Sequence, residues 1–166
     1  MAGRFRDYRF WIALALVIVT GILIYTVYAR LYPLHYEVGG ELVHHWFSWA
    51  GVVFVALFIP AYHLLKRQYP KHYRALLGTH IFGNIIAVML VSIHFTQEIT
   101  RPARSYPDLG TGIILYPTML LLVLTGFVIA FSFSKRFKAW RFLHTSMAVT
   151  FYLVIIVHIL HGLEFI

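Results

Sequence analysis

The chain has 166 residues, of which 60% are apolar and only 12% are Asp, Glu, Lys or Arg. Soluble domains carry about 25% charged residues, so this composition excludes a soluble enzyme, a disordered segment and a nucleic-acid-binding module. The formal net charge is +8, and there is no Cys. The absence of Cys excludes disulfides, thiolate metal sites, Cys-ligated iron–sulfur clusters and haem attached through a Cys pair.

Five apolar stretches are long enough to cross a bilayer, which takes about 20 apolar residues in a helix. They cover approximately residues 10–29, 44–65, 76–96, 112–133 and 142–162. The first stretch is too long for the core of a cleaved signal peptide, and no small-residue cleavage site follows it. The runs are continuous rather than alternating, which excludes a barrel. We therefore expect an all-α integral membrane protein, with residues 1–166 forming a single transmembrane domain.

The basic residues collect on one side of these predicted spans. The N-terminus and the second and fourth connections contain most of the 14 Lys and Arg residues, namely Arg4, Arg6, Arg9, Lys66, Arg67, Lys71, Arg74, Lys135, Arg136, Lys138 and Arg141. The positive-inside rule then predicts a multi-pass protein of the cell membrane, with the N-terminus in the cytoplasm and the C-terminus outside. The basic excess is thus explained by membrane topology and requires no nucleic-acid partner.

Four of the ten His residues form a repeated pattern. Thirteen residues separate His80 from His94 in the third span, and thirteen separate His144 from His158 in the fifth. Fourteen positions make about four turns in a bundle with a 3.5-residue repeat, so each pair lies on one seam, about 21 Å apart along the helix axis. Because the third and fifth spans run in the same direction, facing pairs would form an inner site, His80 with His144, and an outer site, His94 with His158.

Two imidazoles approaching from opposite sides match the axial ligands of a six-coordinate haem iron. We therefore expect two haem b groups, one in each site, with Gly83 and Gly126 allowing the flat ring to approach. A single zinc or copper ion would need ligands that converge on one point, and a proton pump would typically carry buried acidic residues. Hydrogen bonding between helices, or a non-haem carrier or scaffold, is the alternative explanation. Four hydroxyl residues near the ligands are candidates for orienting the imidazoles: Thr79, Ser92, Thr145 and Ser146.

The remaining His residues are less specific. His161 lies one turn after His158 and is an alternative outer ligand or a partner for a haem propionate. His44, His45 and His63 flank the second span, and the eighteen positions between His45 and His63 place these two on one face. A position at the membrane interface is the favoured interpretation, with support of a haem or binding of a quinone headgroup as alternatives.

The stretch FLHTSMAVTFYLVIIVHILHG, residues 142–162, resembles the fifth helix of the ferric reductase-like transmembrane domain superfamily. That superfamily includes ferric reductases, NADPH oxidases and the haem-bearing membrane subunit of a bacterial methionine sulfoxide reductase system. The resemblance covers approximately residues 42–164 and implies a haem-binding four-helix bundle of spans two to five, with ligands in the third and fifth helices. Respiratory cytochrome b subunits share a comparable spacing. Ascorbate-dependent transmembrane cytochromes fit poorly, because their ligands lie on four helices and the fourth span here has no His.

These observations predict a di-haem b-type cytochrome that passes single electrons across the membrane as the electron-transfer component of an oxidoreductase. No glycine-rich nucleotide fingerprint occurs in the chain, so we expect a separate redox partner, either a flavoprotein or a dehydrogenase subunit. The basic cytoplasmic face suits an acidic redox partner or anionic membrane lipid. The alternative is a quinone-linked cytochrome b subunit that anchors a larger respiratory oxidoreductase complex.

Overall fold

The computed structural model describes residues 8–32, 34, 36–101, 110–131 and 137–162. These residues form five long helices: α1 Tyr8–Tyr28, α2 Val43–Gln68, α3 Tyr73–Ile99, α4 Gly112–Phe131 and α5 Phe137–Gly162. An antiparallel pair of short strands, β1 Glu37–Val38 and β2 Glu41–Leu42, precedes α2, and a 3-10 turn over Pro70–His72 precedes α3. Four residues named above lie outside the described ranges, namely Arg4, Arg6, Lys135 and Arg136.

The five predicted spans are confirmed as helices that are long and apolar enough to cross a membrane. Some helices continue past the apolar runs at their basic ends, because the backbone hydrogen bonds of a helix do not require apolar side chains. Thus α2 continues through Lys66 and Arg67 to Gln68, and Lys138 lies in the first turn of α5. Large apolar side chains such as Leu57 and Phe142 are mostly exposed, at 69% and 76%. Such surfaces suit a lipid environment rather than water.

The chain divides into two compact units, residues 1–97 and 98–166. The first contains α1, the strand pair, α2 and nearly all of α3, and the second contains α4 and α5. The boundary falls inside α3, so Glu98 and Ile99 are the last two residues of a helix that begins in the first unit.

Helix α1 is followed by a residue in the left-handed backbone conformation, Arg30, which has a φ of 54°. The N–H of Leu31 donates to the carbonyl of Thr26, and the N–H of Arg30 donates to the carbonyl of Val27, both at 3.0 Å. These two bonds form a Schellman motif, which satisfies the last carbonyls of the helix. The chain therefore leaves α1 in a defined direction before it reaches the strand pair.

The strand pair is a tight hairpin attached to α2. Gly39 and Gly40 have φ values of 65° and 85°, and two successive positive φ angles are typical of the type I′ turn that joins antiparallel strands. The indole N–H of Trp46 donates to the carbonyl of Val38 at 2.8 Å. This bond connects the hairpin to the first turns of α2 and places the polar residues of β2 beside them.

Glycines allow α2 and α3 to pack closely. A Cβ at Gly51 would lie 3.0 Å from both the carbonyl oxygen of Ala87 and the Cγ2 of Val91, and a Cβ at Gly83 would overlap the ring of Phe54. The contact positions rise along α2 as they fall along α3, so the two helices are antiparallel. This packing brings the first turn of α2 to the last turns of α3.

Candidate functional site

The two predicted ligands on α5 have equivalent threonine partners, one in α4 and one immediately before it. Thr125 Oγ1 lies 2.9 Å from Nδ1 of His144, and Thr111 Oγ1 lies 2.9 Å from Nδ1 of His158. The two threonines are fourteen positions apart, as are the two histidines. In an antiparallel helix pair, equal spacings on both helices bring both contacts into register together. One packing geometry therefore supplies a hydroxyl partner to both imidazoles.

Each of these threonines is followed by a glycine that faces the same imidazole. A Cβ at Gly126 would lie 3.3 Å from Cε1 of His144, and a Cβ at Gly112 would lie 3.4 Å from Cε1 of His158. A Cβ would be tight against the ring edge at Gly126 and in ordinary van der Waals contact with it at Gly112. We call these two arrangements the His144 contact, with Thr125 and Gly126, and the His158 contact, with Thr111 and Gly112.

The bonds made by Thr125 assign the proton on His144. The hydroxyl oxygen of Thr125 lies 2.8 Å from the carbonyl oxygen of Leu121 and 3.0 Å from that of Leu122. A hydroxyl has one proton, and a carbonyl can only accept, so that proton is donated to the helix backbone. The oxygen of Thr125 then accepts from Nδ1–H of His144. Nε2 keeps its lone pair, which is the form of imidazole that ligates a metal or haem iron.

His80 on α3 has a different environment. Nδ2 of Asn84 lies 3.2 Å from Nδ1 of His80 and 2.6 Å from the carbonyl oxygen of the same residue. The imidazole stacks on the ring of Tyr62, with centroids 4.7 Å apart and planes 12° apart. In this arrangement the amide donates to Nδ1, which places the proton on Nε2. Ligation through Nε2 therefore requires the amide of Asn84 to turn, so that its oxygen accepts from Nδ1–H.

His94 lies in a group of donor side chains at the beginning of α2 and the end of α3. One ligand atom from each of His44, His45, His94 and Glu98 lies within 4.8 Å of the others. The rings of His44 and His94 stack with centroids 5.6 Å apart, and the ring of His45 is edge-on to both. Only 2% of His44 is exposed. Three imidazoles and a carboxylate are a donor set that first-row transition metals accept.

A carboxylate of the hairpin orients one member of this group. Oε2 of Glu41 lies 2.9 Å from Nδ1 of His45. A carboxylate only accepts, so Nδ1 of His45 carries the proton and Nε2 retains the lone pair. Metal-binding histidines commonly have such a carboxylate partner on the second nitrogen. The strand pair, which the apolar pattern does not predict, therefore contributes a residue to this group.

The structure places the four predicted haem ligands on two helices. His80 and His94 lie on α3 in the first unit, and His144 and His158 lie on α5 in the second. Each pair lies on one unbroken helix, as the spacing requires. The pairing of histidines between the two helices stays a prediction. His161 is exposed in the last turn of α5.

The residues that orient the α5 imidazoles differ from those suggested by proximity in sequence. Thr145 and Ser146 are exposed, and Ser92 and Thr79 donate to the backbone carbonyls of the residues four positions earlier, at 2.6 and 3.2 Å. The hydroxyls that do contact the imidazoles come from Thr125 of α4 and from Thr111, the residue immediately before α4. The signal that could have identified them is the spacing of two of the three Thr-Gly dipeptides, because those at 111–112 and 125–126 are fourteen positions apart, as are His144 and His158 of α5.

The histidines around α2 also separate in the structure. His63 is exposed, whereas His44 is buried against His94. The interfacial position of these histidines stays a prediction. The burial of His44 follows from the antiparallel packing of α2 and α3, a tertiary contact that the hydropathy of the second span does not contain.

A comparison with protein-family models, with curated proteins and with solved structures finds no match to this chain.

Proposed function

We propose that this chain is a multi-pass membrane cytochrome, similar to ferric reductase-like domains, that binds two haem b groups and passes single electrons across the bilayer. The observation that carries the proposal is the repeated environment of His144 and His158. Both imidazoles have a threonine hydroxyl at Nδ1 and a glycine at Cε1. For His144 the bonds of the threonine place the proton on Nδ1 and the lone pair on Nε2, and haem proteins use neutral imidazole as an axial ligand.

The proposed ligand pairs are His80 with His144 for the inner haem and His94 with His158 for the outer haem. Helices α2 to α5 would surround them as a four-helix bundle. The fourteen-position spacing on both α3 and α5 supports two sites separated by about 21 Å along the helix axis. Bound haem would supply the one-electron chemistry, and the residues of this chain would supply the ligands, the hydrogen bonds that orient them and an apolar surround that together tune the potential.

The proposed topology has the N-terminus in the cytoplasm and the C-terminus outside. The connection between α2 and α3 supports it, because Lys66, Arg67, Lys71 and Arg74 occur within nine positions and cytoplasmic connections are enriched in Lys and Arg. The same basic side offers a docking surface for a separate donor protein of acidic character. The direct partners in this proposal are thus membrane lipid and one redox protein.

The test is haem counting on the full chain purified in detergent. The pyridine haemochrome assay should give two haem b per chain, with a b-type reduced-minus-oxidised spectrum. His144→Ala and His158→Ala should each lower the count to one. His72→Ala, in the exposed 3-10 turn, is the matched control and should keep two. A wild-type protein without b-type absorption would refute the proposal, as would two haems in both ligand variants.

A further inference from the structure

The donor group around the beginning of α2 is distinct from the two contacts on α5. We propose that His44, His45 and Glu98 bind a divalent transition-metal ion beside His94. Donor atoms that share one ion at about 2.1 Å cannot lie more than about 4.2 Å apart. The observed separations are within 4.8 Å, so small rotations of the side chains bring the donors onto one ion.

His94 is assigned to the outer haem rather than to the metal ion. That assignment uses its imidazole as an axial ligand, which leaves two imidazoles and one carboxylate for the ion. Two histidines and one carboxylate form the facial set that binds Fe(II) and related ions and leaves coordination positions open. The stacked rings of His44 and His94, with centroids 5.6 Å apart, would place the ion next to the haem ligand.

The charged neighbours of the donors act in opposite directions, because Glu41 favours a cation at His45 whereas Arg101 competes with it for the carboxylate of Glu98. Glu41 accepts from Nδ1 of His45 at 2.9 Å, which directs the lone pair of Nε2 away from the hairpin. The side chain of Glu98 is only 14% exposed and lies 2.9 Å from the guanidinium of Arg101. An ion at this place would share the carboxylate with Arg101. Imidazole donors select Zn²⁺, Co²⁺, Ni²⁺ or Cu²⁺ over Mg²⁺ and Ca²⁺, so the ion belongs to the first-row transition series.

Cobalt is the probe, because bound Co²⁺ has visible absorption bands that report its ligands. Titration of the purified full chain should show saturable Co²⁺ binding that excess Mg²⁺ does not displace. His45→Ala and Glu98→Gln should each weaken binding at least tenfold. Glu41→Gln should weaken it about 10- to 100-fold, the usual effect of removing an outer partner of a metal-bound His. His63→Ala, an exposed residue on the same helix, should leave the affinity unchanged.

The design separates this proposal from the haem proposal. His45→Ala changes a partly exposed residue and should keep both haems, whereas His158→Ala should lose the outer haem and keep Co²⁺ affinity. Haem without Co²⁺ binding would refute the ion site alone, and Co²⁺ binding without haem would refute the cytochrome alone. Equal Co²⁺ affinity in wild type, His45→Ala and Glu98→Gln would also overturn the ion site.

Discussion

The His144 contact gives a quantitative test of how this chain prepares an imidazole for ligation. Thr125→Val removes the oxygen that accepts from Nδ1–H of His144 and keeps a side chain of nearly the same shape. Loss of the hydrogen-bond partner of a ligating histidine typically lowers metal affinity about 10- to 100-fold, which corresponds to about 1.4–2.7 kcal/mol. The cost of leaving a buried donor unsatisfied is of the same size, about 1–3 kcal/mol. We expect haem to leave the inner site of the variant 10- to 100-fold more readily.

The assay is haem transfer from the ferric protein to excess apomyoglobin, followed in the Soret band. Thr118→Val is the matched control, because Thr118 is half-buried on the same helix and its hydroxyl donates to the carbonyl of Ile114 at 2.8 Å. Both variants lose a hydroxyl-to-backbone bond, but only Thr125→Val loses a histidine partner. Equal transfer rates in the two variants would show that the hydroxyl does not hold the imidazole in its ligating form.

Four further substitutions test the packing of the first unit by thermal unfolding or hydrogen exchange in detergent. Gly83→Ala should destabilise the protein by about 1–3 kcal/mol, because its Cβ would overlap the ring of Phe54 and overpacking costs this much. Gly78→Ala has open space around it and should instead stabilise the protein by about 0.5–1 kcal/mol. A more stable Gly83→Ala than Gly78→Ala variant would contradict the α2–α3 packing. Arg30→Gly should raise stability by up to about 1 kcal/mol, because glycine adopts the left-handed angle of this cap without strain; an unchanged or lower melting temperature would count against the cap. Trp46→Phe should speed amide exchange in the hairpin about fivefold, the effect of losing one hydrogen bond of about 1 kcal/mol, and unchanged exchange would show that the indole does not anchor it.

The helices of this protein could be predicted well from the sequence, and their contacts could not. Crossing a bilayer requires a long apolar run, which is a local property, so the predicted span of 112–133 is close to α4, Gly112–Phe131. The predicted helix ends agree less well with the structure than the positions of the spans. For α5 the predicted start at 142 lies five positions after Phe137, because the basic first turn is helical without being apolar.

The spacing of the histidines predicts the candidate ligands because it, too, is a local property of each helix. A repeat of fourteen on one helix can be read from that helix alone, whereas the partners of each imidazole depend on helix packing. Thr125 lies on α4 and Thr111 immediately before it, in a segment with no His, and the two threonines become visible as partners only in the antiparallel register of α4 and α5. The burial of His44 beside His94 likewise depends on glycines that let α2 and α3 approach.

The shared register of the two contacts on α5 restricts how this part of the chain can change in length. One residue inserted between His144 and His158 would turn one imidazole about 100° away from its threonine. An insertion between Thr111 and Thr125 would have the same consequence from the other helix. Lipid-facing side chains between these positions can be exchanged for other apolar residues, but the number of residues between them is set by the polar contacts at both ends.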